Sequence, residues 1–165
     1  MSKDDMTTAE LLNEDPNAEK PTTDTKDPKQ KIHPEQAQEQ IDLLLGFYEI
    51  YPDDIDSKEQ KSAVKTTINR IKRAIINGRI EVSDGEEGLR VNQHTTHTEN
   101  KTTFTYGEIT GAHRRQLDKV GTDDGIKRMH TILSLLSKFP INEFSKLKGP
   151  DASISESLAA LFLLV

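Results

Sequence analysis

The sequence predicts an α+β fold: a single, mainly helical domain with a small three-stranded antiparallel β element and a disordered N-terminal arm. Three patterns carry this prediction. Apolar residues recur every three or four positions through most of residues 34–165, which is typical of helices with one buried face. The spacing shortens to two at points between residues 80 and 106, as in β-strands. Residues 1–33, by contrast, carry very few apolar side chains.

The composition narrows the class of protein. The 165 residues are 33% hydrophobic and 30% charged, with a formal net charge of -6. They lack the basic excess of a nucleic-acid-binding chain. Without cysteine they form neither disulfides nor thiolate metal sites. No apolar run reaches the roughly 18 residues of a membrane helix, and no signal-peptide pattern opens the chain. We therefore expect a cytoplasmic protein without membrane contact.

Residues 1–33 form the predicted acidic arm. Lys, Asp, Glu, Thr and Pro dominate this segment, and only Leu11 and Leu12 could bury much surface. Burial of so few side chains does not offset the entropy lost when the backbone is ordered. The arm is therefore predicted to be disordered, and the folded domain to span residues 34–165.

Two helices are predicted in the first half of this domain. Pro34 suits the first turn of a helix, and Pro52 ends that helix because the residue before a proline avoids helical angles. Ser57 and Gln60 have the spacing of a capping box, which opens the second helix. Gly78 closes it with a left-handed cap. The apolar stripe of the second helix consists of Val64, Ile68, Ile71 and Ile75.

The middle of the chain predicts the β element. Alternation of apolar and polar residues favours strands near residues 80–82 and 89–93, joined by a glycine-rich turn. Residues 102–106 form a third candidate strand after a polar, threonine-rich loop. Three short strands packed on helices are more stable than an isolated hairpin.

Helices are predicted again from Thr110 onward. Thr122 is the expected N-cap of a longer helix, which we expect to be the most buried one. Pro140 is expected to open a short helix, and Gly149-Pro150 is expected to separate it from a last apolar helix. The main stripe of the longer helix consists of Ile126, Met129, Leu133 and Leu136.

No residue set predicts a catalytic centre, a cofactor site or a metal site. His94 and His97 lie in an extended threonine-rich stretch, where side chains three apart point to opposite sides. The aspartates of residues 53–56 resemble the start of a calcium loop, but the required glycine and glutamate do not follow at the right offsets. The pattern around these residues favours an exposed loop and a turn before a helix.

A candidate basic face lies near the end of the second predicted helix. Arginine forks on such a face could contact phosphates, but no nucleic-acid-binding motif accompanies them. The pattern favours a solvated polar face over contact with an acidic protein partner. It favours both of these over nucleic-acid binding. The face consists of Arg70, Lys72, Arg73 and Arg79.

The last third of the chain, residues 102–162, resembles the tail-assembly chaperone families of long-tailed phages and prophages. In those families a short β element precedes a Thr-Gly turn, helices joined at a Pro junction, and a Leu-x-x-x-Asp step into a last helix. The comparable positions here are Thr110-Gly111, Leu117-Asp118, Phe139-Pro140, Phe144, Leu147, Asp151, Leu158 and Phe162. The resemblance implies a non-enzymatic chaperone in the host cytoplasm that binds the tape-measure protein or the tail-tube protein.

The expected partner surface is the apolar face of the last two helices. The same residues could instead be core, so both interpretations stay open at this point. The alternative functions are a virion structural or head-packaging component, and a nucleic-acid-associated regulator; a homo-oligomer is also open. The predicted partner-binding residues are Phe144, Leu147, Leu158, Leu161 and Phe162.

Overall fold

A computed structural model describes residues 31–98 and 101–165, and within them it confirms the predicted α+β fold. Residues 1–30, most of the predicted arm, lie outside the described residues. Next to the predicted boundary at residue 33, the backbone N–H of Ile32 donates to the carbonyl of Ile76 at 3.0 Å.

Two helices occupy the first half, as predicted. Helix α1 spans Pro34–Phe47, and the His33 side chain caps it by accepting from the backbone N–H of Glu35. A 3-10 helix, Pro52–Asp54, leads to helix α2, Lys58–Ile76. The Ser57 hydroxyl accepts from the Gln60 backbone at the start of α2, which satisfies one of the free N–H groups there.

The sheet has the order β1-β2-β3, and both pairings are antiparallel. Strand β1 spans Ile80–Gly85, β2 Gly88–His94 and β3 Thr103–Tyr106, so the two hairpin strands are longer than predicted. One sheet face is apolar and packs on the helices, and the other carries polar side chains. The apolar face is formed by Ile80, Val82, Leu89, Val91, Phe104 and Tyr106.

Four helices follow the sheet. Helix α3 spans Gly111–Leu117, α4 Gly125–Ser137, α5 Ile141–Ser145 and α6 Pro150–Phe162. These bounds agree with the predicted order of helices.

The start of α4 differs from the prediction. The cap is Asp124, not Thr122, because the Asp124 carboxylate accepts from the Lys127 backbone at 2.9 Å. Ile126 falls in the first exposed turn as a result, and its side chain is 65% exposed.

Helix α6 is the centre of the core, which corrects the expectation that α4 is the most buried helix. Eight residues of α6 are buried, against four of α4. The helix packs on α2 and α4, while α1 packs on α2 and on β1. Since α6 is surrounded by other elements, its position decides how the sheet and the helices fit together.

Candidate functional site

The five predicted partner-binding residues are core residues in this structure. None of them is more than 8% exposed. The ring of Phe144 lies 4.9 Å from that of Phe104, and the ring of Phe162 lies 5.8 Å from that of Tyr106. Apolar periodicity thus identified a face of the last two helices that is buried in this structure, and sequence alone does not show what covers such a face. The set is Phe144, Leu147, Leu158, Leu161 and Phe162.

Large exposed apolar side chains lie on the last turns of α1, just after α1 and just after α6. We call Leu43, Phe47, Tyr51 and Leu164 the apolar patch. Their side chains are 37%, 41%, 58% and 51% exposed, in that order. A cleft of about 540 Å³ lies between the chain that follows α1, the 3-10 helix, the start of α2 and the end of α6, and Tyr51 and Leu164 of the apolar patch line it. Its walls are mainly apolar and include Tyr48, Ile50, Ile55 and Val64.

The local sequence explains why Tyr51 points outward. Glu49 adopts a left-handed conformation with φ of 53°, which turns the chain sharply after α1. The Ile50 N–H then donates to the Leu45 carbonyl at 2.9 Å and places the Ile50 side chain in the core. Pro52 follows and starts the 3-10 helix. Tyr51 is left between the two anchored positions, with its ring in solvent.

Asp53 fastens this loop to α2. Its carboxylate lies 3.0 Å from Lys61 Nζ and 3.1 Å from Lys65 Nζ. Hydrogen bonds from these two ammonium groups, together with their charge, lower the pKa of Asp53. The aspartates of residues 53–56 thus belong to a turn before a helix, and within the described residues no group of three or more His, Asp or Glu side chains could hold a metal ion.

Tyr48 links the apolar patch to the core. Its ring meets that of Phe47 edge-on at 5.1 Å and that of Phe162 at 6.1 Å. Burial raises the pKa of Tyr48 to about 12, although a hydrogen bond with the Ile109 backbone acts in the opposite direction. The hydroxyl is therefore neutral at physiological pH. Through Tyr48, Phe47 of the apolar patch is connected to the buried ring of Phe162.

The candidate basic face is divided by the fold. Arg70 and Arg73 are exposed on α2, and Lys72 donates to Gln38 Oε1 at 2.5 Å. Arg79 does not join them, because its guanidinium turns inward and forms an ion pair with Asp151. Only 16% of the Arg79 side chain is exposed, so a shared phosphate-binding surface of all four residues is not present.

Asp151 is the centre of a buried polar cluster. Gly149, with φ of 52°, and Pro150 open α6 so that Asp151 lies in its first turn with no exposed surface. Its carboxylate accepts from the backbone N–H groups of Thr96 at 3.1 Å and His97 at 2.7 Å, as well as from the Arg79 guanidinium. The Thr98 hydroxyl also donates to it, at 3.1 Å.

These contacts fix the charge state of the Asp151 carboxylate. Burial alone would raise its pKa, but hydrogen bonds from the His97 and Thr96 backbone, Arg79 and Thr98 outweigh burial and lower the pKa. The carboxylate is therefore ionised and saturated with donors. Such a group holds structure together and is a poor general base.

Gln93 extends the cluster across the sheet. Its amide Nε2 donates to the Asp151 carbonyl at 3.0 Å, and its Oε1 accepts from the Tyr106 and Ser155 hydroxyls, both at 2.8 Å. Burial raises the pKa of Tyr106, so this hydroxyl stays a donor. The Asp151 cluster thus joins the turn between α2 and β1, the sheet and the β2–β3 loop to α6. It comprises Arg79, Gln93, Thr96, His97, Thr98, Tyr106, Asp151 and Ser155.

In the sequence, Asp151 stands out only as a position of the resemblance, and no pattern there marks Phe47 or Tyr51 as partner residues. The one local signal for Asp151 was an acidic residue after Gly-Pro at a helix start. Comparison with protein families, with curated proteins and with solved structures finds no match for this chain. Among the helices in the described part of the chain, none has the length and apolar character that a membrane span requires.

Proposed function

We propose that this protein is a non-enzymatic, protein-binding factor in phage tail assembly, and that it shields an apolar helical surface of the tape-measure protein or the tail-tube protein. The observation that carries the proposal is the apolar patch beside its cleft. The resemblance of residues 102–162 to tail-assembly chaperones supports the same class of function.

The chemistry of the patch suits a helical partner. An amphipathic helix lays apolar side chains spaced three or four apart into a groove. Phe47 and Tyr51 offer two exposed aromatic side chains, and the cleft lined by Tyr51 and Leu164 has room for apolar side chains of a partner. Aromatic anchors in a central pocket contribute most of the energy of typical interfaces.

The edges of the cleft suit a chaperone that must remain soluble. Glu49, Asp54 and Gln60 line the cleft beside the apolar walls, so a polar rim surrounds the apolar centre. The net charge of -6 keeps chains apart while the patch is uncovered. The proposal involves no chemical step and no cofactor.

The test is co-expression of the full chain with the tape-measure and tail-tube proteins of the same phage, followed by affinity measurement. The variant Phe47→Ser with Tyr51→Ser should weaken binding at least about tenfold, because both anchors are lost. Ile126→Ser is the matched control, since Ile126 is an equally exposed apolar residue on α4, apart from the cleft. Unchanged affinity in the double variant, or equal loss in the control, would contradict the proposal.

A second measurement separates the chaperone from the virion component. Mass spectrometry of purified particles should find none of this protein if it acts only before tube assembly. Many copies per particle would favour the structural or head-packaging alternative. Binding to DNA with a steep salt dependence, and to neither tail protein, would favour the regulator.

A further inference from the structure

Helix α2 carries a concentration of positive charge in an acidic protein. Between Lys58 and Ile76 it has six basic residues and one acidic residue, Glu59, while the whole chain has a net charge of -6. We call the six basic residues the cationic face of α2. They lie away from the buried stripe of Val64, Ile71 and Ile75. The cationic face consists of Lys58, Lys61, Lys65, Arg70, Lys72 and Arg73.

Much of this charge is not neutralised by the described residues. Lys61 and Lys65 share the single carboxylate of Asp53. Within residues 31–98 and 101–165, Arg70 and Arg73 form no ion pair, and both are exposed. A shallow depression along α2 is lined by Lys58 and Arg70 of the cationic face, by Glu59, and by the small side chains of Ser62, Ala63, Thr66 and Thr67.

The N-terminal segment enters the domain next to this face. Ile32 is held by its hydrogen bond to the carbonyl of Ile76, the last residue of α2. Residues 1–30 therefore connect to the domain at the C-terminal end of α2, one turn beyond Arg73. Since α2 has 19 residues, it is about 28 Å long. Thirty residues span up to about 100 Å when extended, so the segment reaches the whole face.

The charge of the segment is opposite to that of α2. Residues 1–30 contain eight Asp or Glu and four Lys, a net charge of -4. We propose that the acidic N-terminal segment, residues 1–30, docks on the cationic face of α2 in its own chain. The contact is electrostatic and involves many weak ion pairs, because α2 offers polar and small side chains there rather than an apolar groove.

Tethering makes such weak pairs effective. Each exposed ion pair contributes little, but a linked segment has an effective concentration on the order of millimolar at its site. Added salt screens the contact, since the Debye length falls from about 10 Å at 0.1 M salt to about 3 Å at 1 M. While docked, the segment covers Arg70 and Arg73 and so keeps other polyanions away from them.

The experiment uses the full chain with one spin label. Because the chain has no cysteine, Ser62→Cys on the exposed side of α2 gives a single labelling site. Paramagnetic broadening should remove most of the amide signal intensity of residues 1–30 at low salt. About 1 M salt should restore that intensity. The same label at Ile126→Cys on α4 is the positional control, and it should leave most of the signals.

Charge variants and a mixed sample complete the test. Arg70→Gln with Arg73→Gln should restore the signals, whereas Arg114→Gln with Arg115→Gln on α3, an equal change of charge, should not. Equal broadening from both labels, or broadening that neither salt nor the α2 variant removes, would overturn the proposal. So would broadening between labelled and unlabelled chains in a mixture, because the segment would then dock on a second copy.

Discussion

The Asp151 cluster and the apolar patch reverse the usual distribution of side chains in opposite ways. The cluster places an ionised carboxylate and a guanidinium inside the domain, whereas the patch leaves Phe47 and Tyr51 outside it. Buried charges are costly unless they are paired and hydrogen-bonded. Exposed apolar groups are costly unless something covers them.

The two regions resolve these costs differently. Every oxygen of the Asp151 carboxylate finds donors within the chain, so the cluster is complete without a partner. Tyr51 finds no comparable cover among the described residues and is 58% exposed. The contrast assigns the cluster to folding, and it leaves the patch as the surface to which we propose that a partner binds. Each prediction below tests one side of this contrast.

The largest effect is expected for Asp151→Ala. The substitution leaves the Arg79 guanidinium, two backbone N–H groups and a hydroxyl without their acceptor inside the domain. Breaking a buried ion pair by removing one partner typically costs about 3–5 kcal/mol. Urea denaturation followed by circular dichroism should show this loss of folding free energy.

Asp53→Ala is the matched control for that measurement. Asp53 also pairs with cations, but its side chain is 81% exposed. Water and salt replace such contacts readily, so the urea midpoint should stay close to that of the unaltered chain. Equal destabilisation by the two substitutions would mean that the Asp151 cluster is not what holds α6.

The next effect concerns pH. The pKa of Asp151 is lower in the folded protein than its ordinary value, about 3.9, in an unfolded chain. Its contribution to stability is therefore present above that ordinary value and is lost as the pH falls through the folded pKa. Melting temperatures measured from about pH 6 to about pH 2 should fall more steeply for the unaltered chain than for Asp151→Asn. Parallel curves would contradict the assignment of this carboxylate.

A smaller effect is expected when one hydroxyl is removed from each region. Tyr106→Phe deletes the donor to Gln93 inside the cluster and should cost about 1 kcal/mol. Tyr51→Phe deletes a hydroxyl in solvent and should leave the folding free energy unchanged to within about 0.5 kcal/mol. Calorimetry of the two variants compares the two regions at the same residue type. The decisive result is a larger loss of folding free energy for Tyr106→Phe than for Tyr51→Phe.

A small effect on folding is also expected for Phe47→Ser. The side chain is already 41% exposed, so its removal exposes little further core and should change stability by less than about 1 kcal/mol. Aggregation at high concentration should decrease, because an exposed aromatic is gone. Light scattering and thermal melting measure both quantities. A large drop in melting temperature would show that Phe47 belongs to the core.

Local signals account for most of the fold that could be predicted from sequence. Pro34, Ser57 and Gly78 act on their own neighbours, so the starts and ends of α1 and α2 follow from a few residues. The alternation around residues 80–93 likewise determines a hairpin whose partners are close in the chain. These signals predict the local structure without information about which elements pack against it.

The site could not be predicted in the same way, because its contacts are distant in sequence. Asp151 meets Thr96 and Arg79, 55 and 72 positions away, and nothing near Asp151 encodes those partners. Arg79 follows three other cations in the sequence, and this proximity alone places it in the candidate basic face. Phe162 and Tyr51 are both large and aromatic, and only the assembled fold shows that one is buried and the other exposed.

The central position of α6 also determines the order of events when the protein is made. Chains grow from the N-terminus at about 5–20 residues per second, and α6 is the last helix of the described chain to be synthesised. Until it arrives, α2 and α4 have their other neighbours but lack the helix that contacts both of them, and Arg79 lacks its carboxylate partner. We therefore expect the contacts of α6 with the sheet and with these two helices to form late in synthesis.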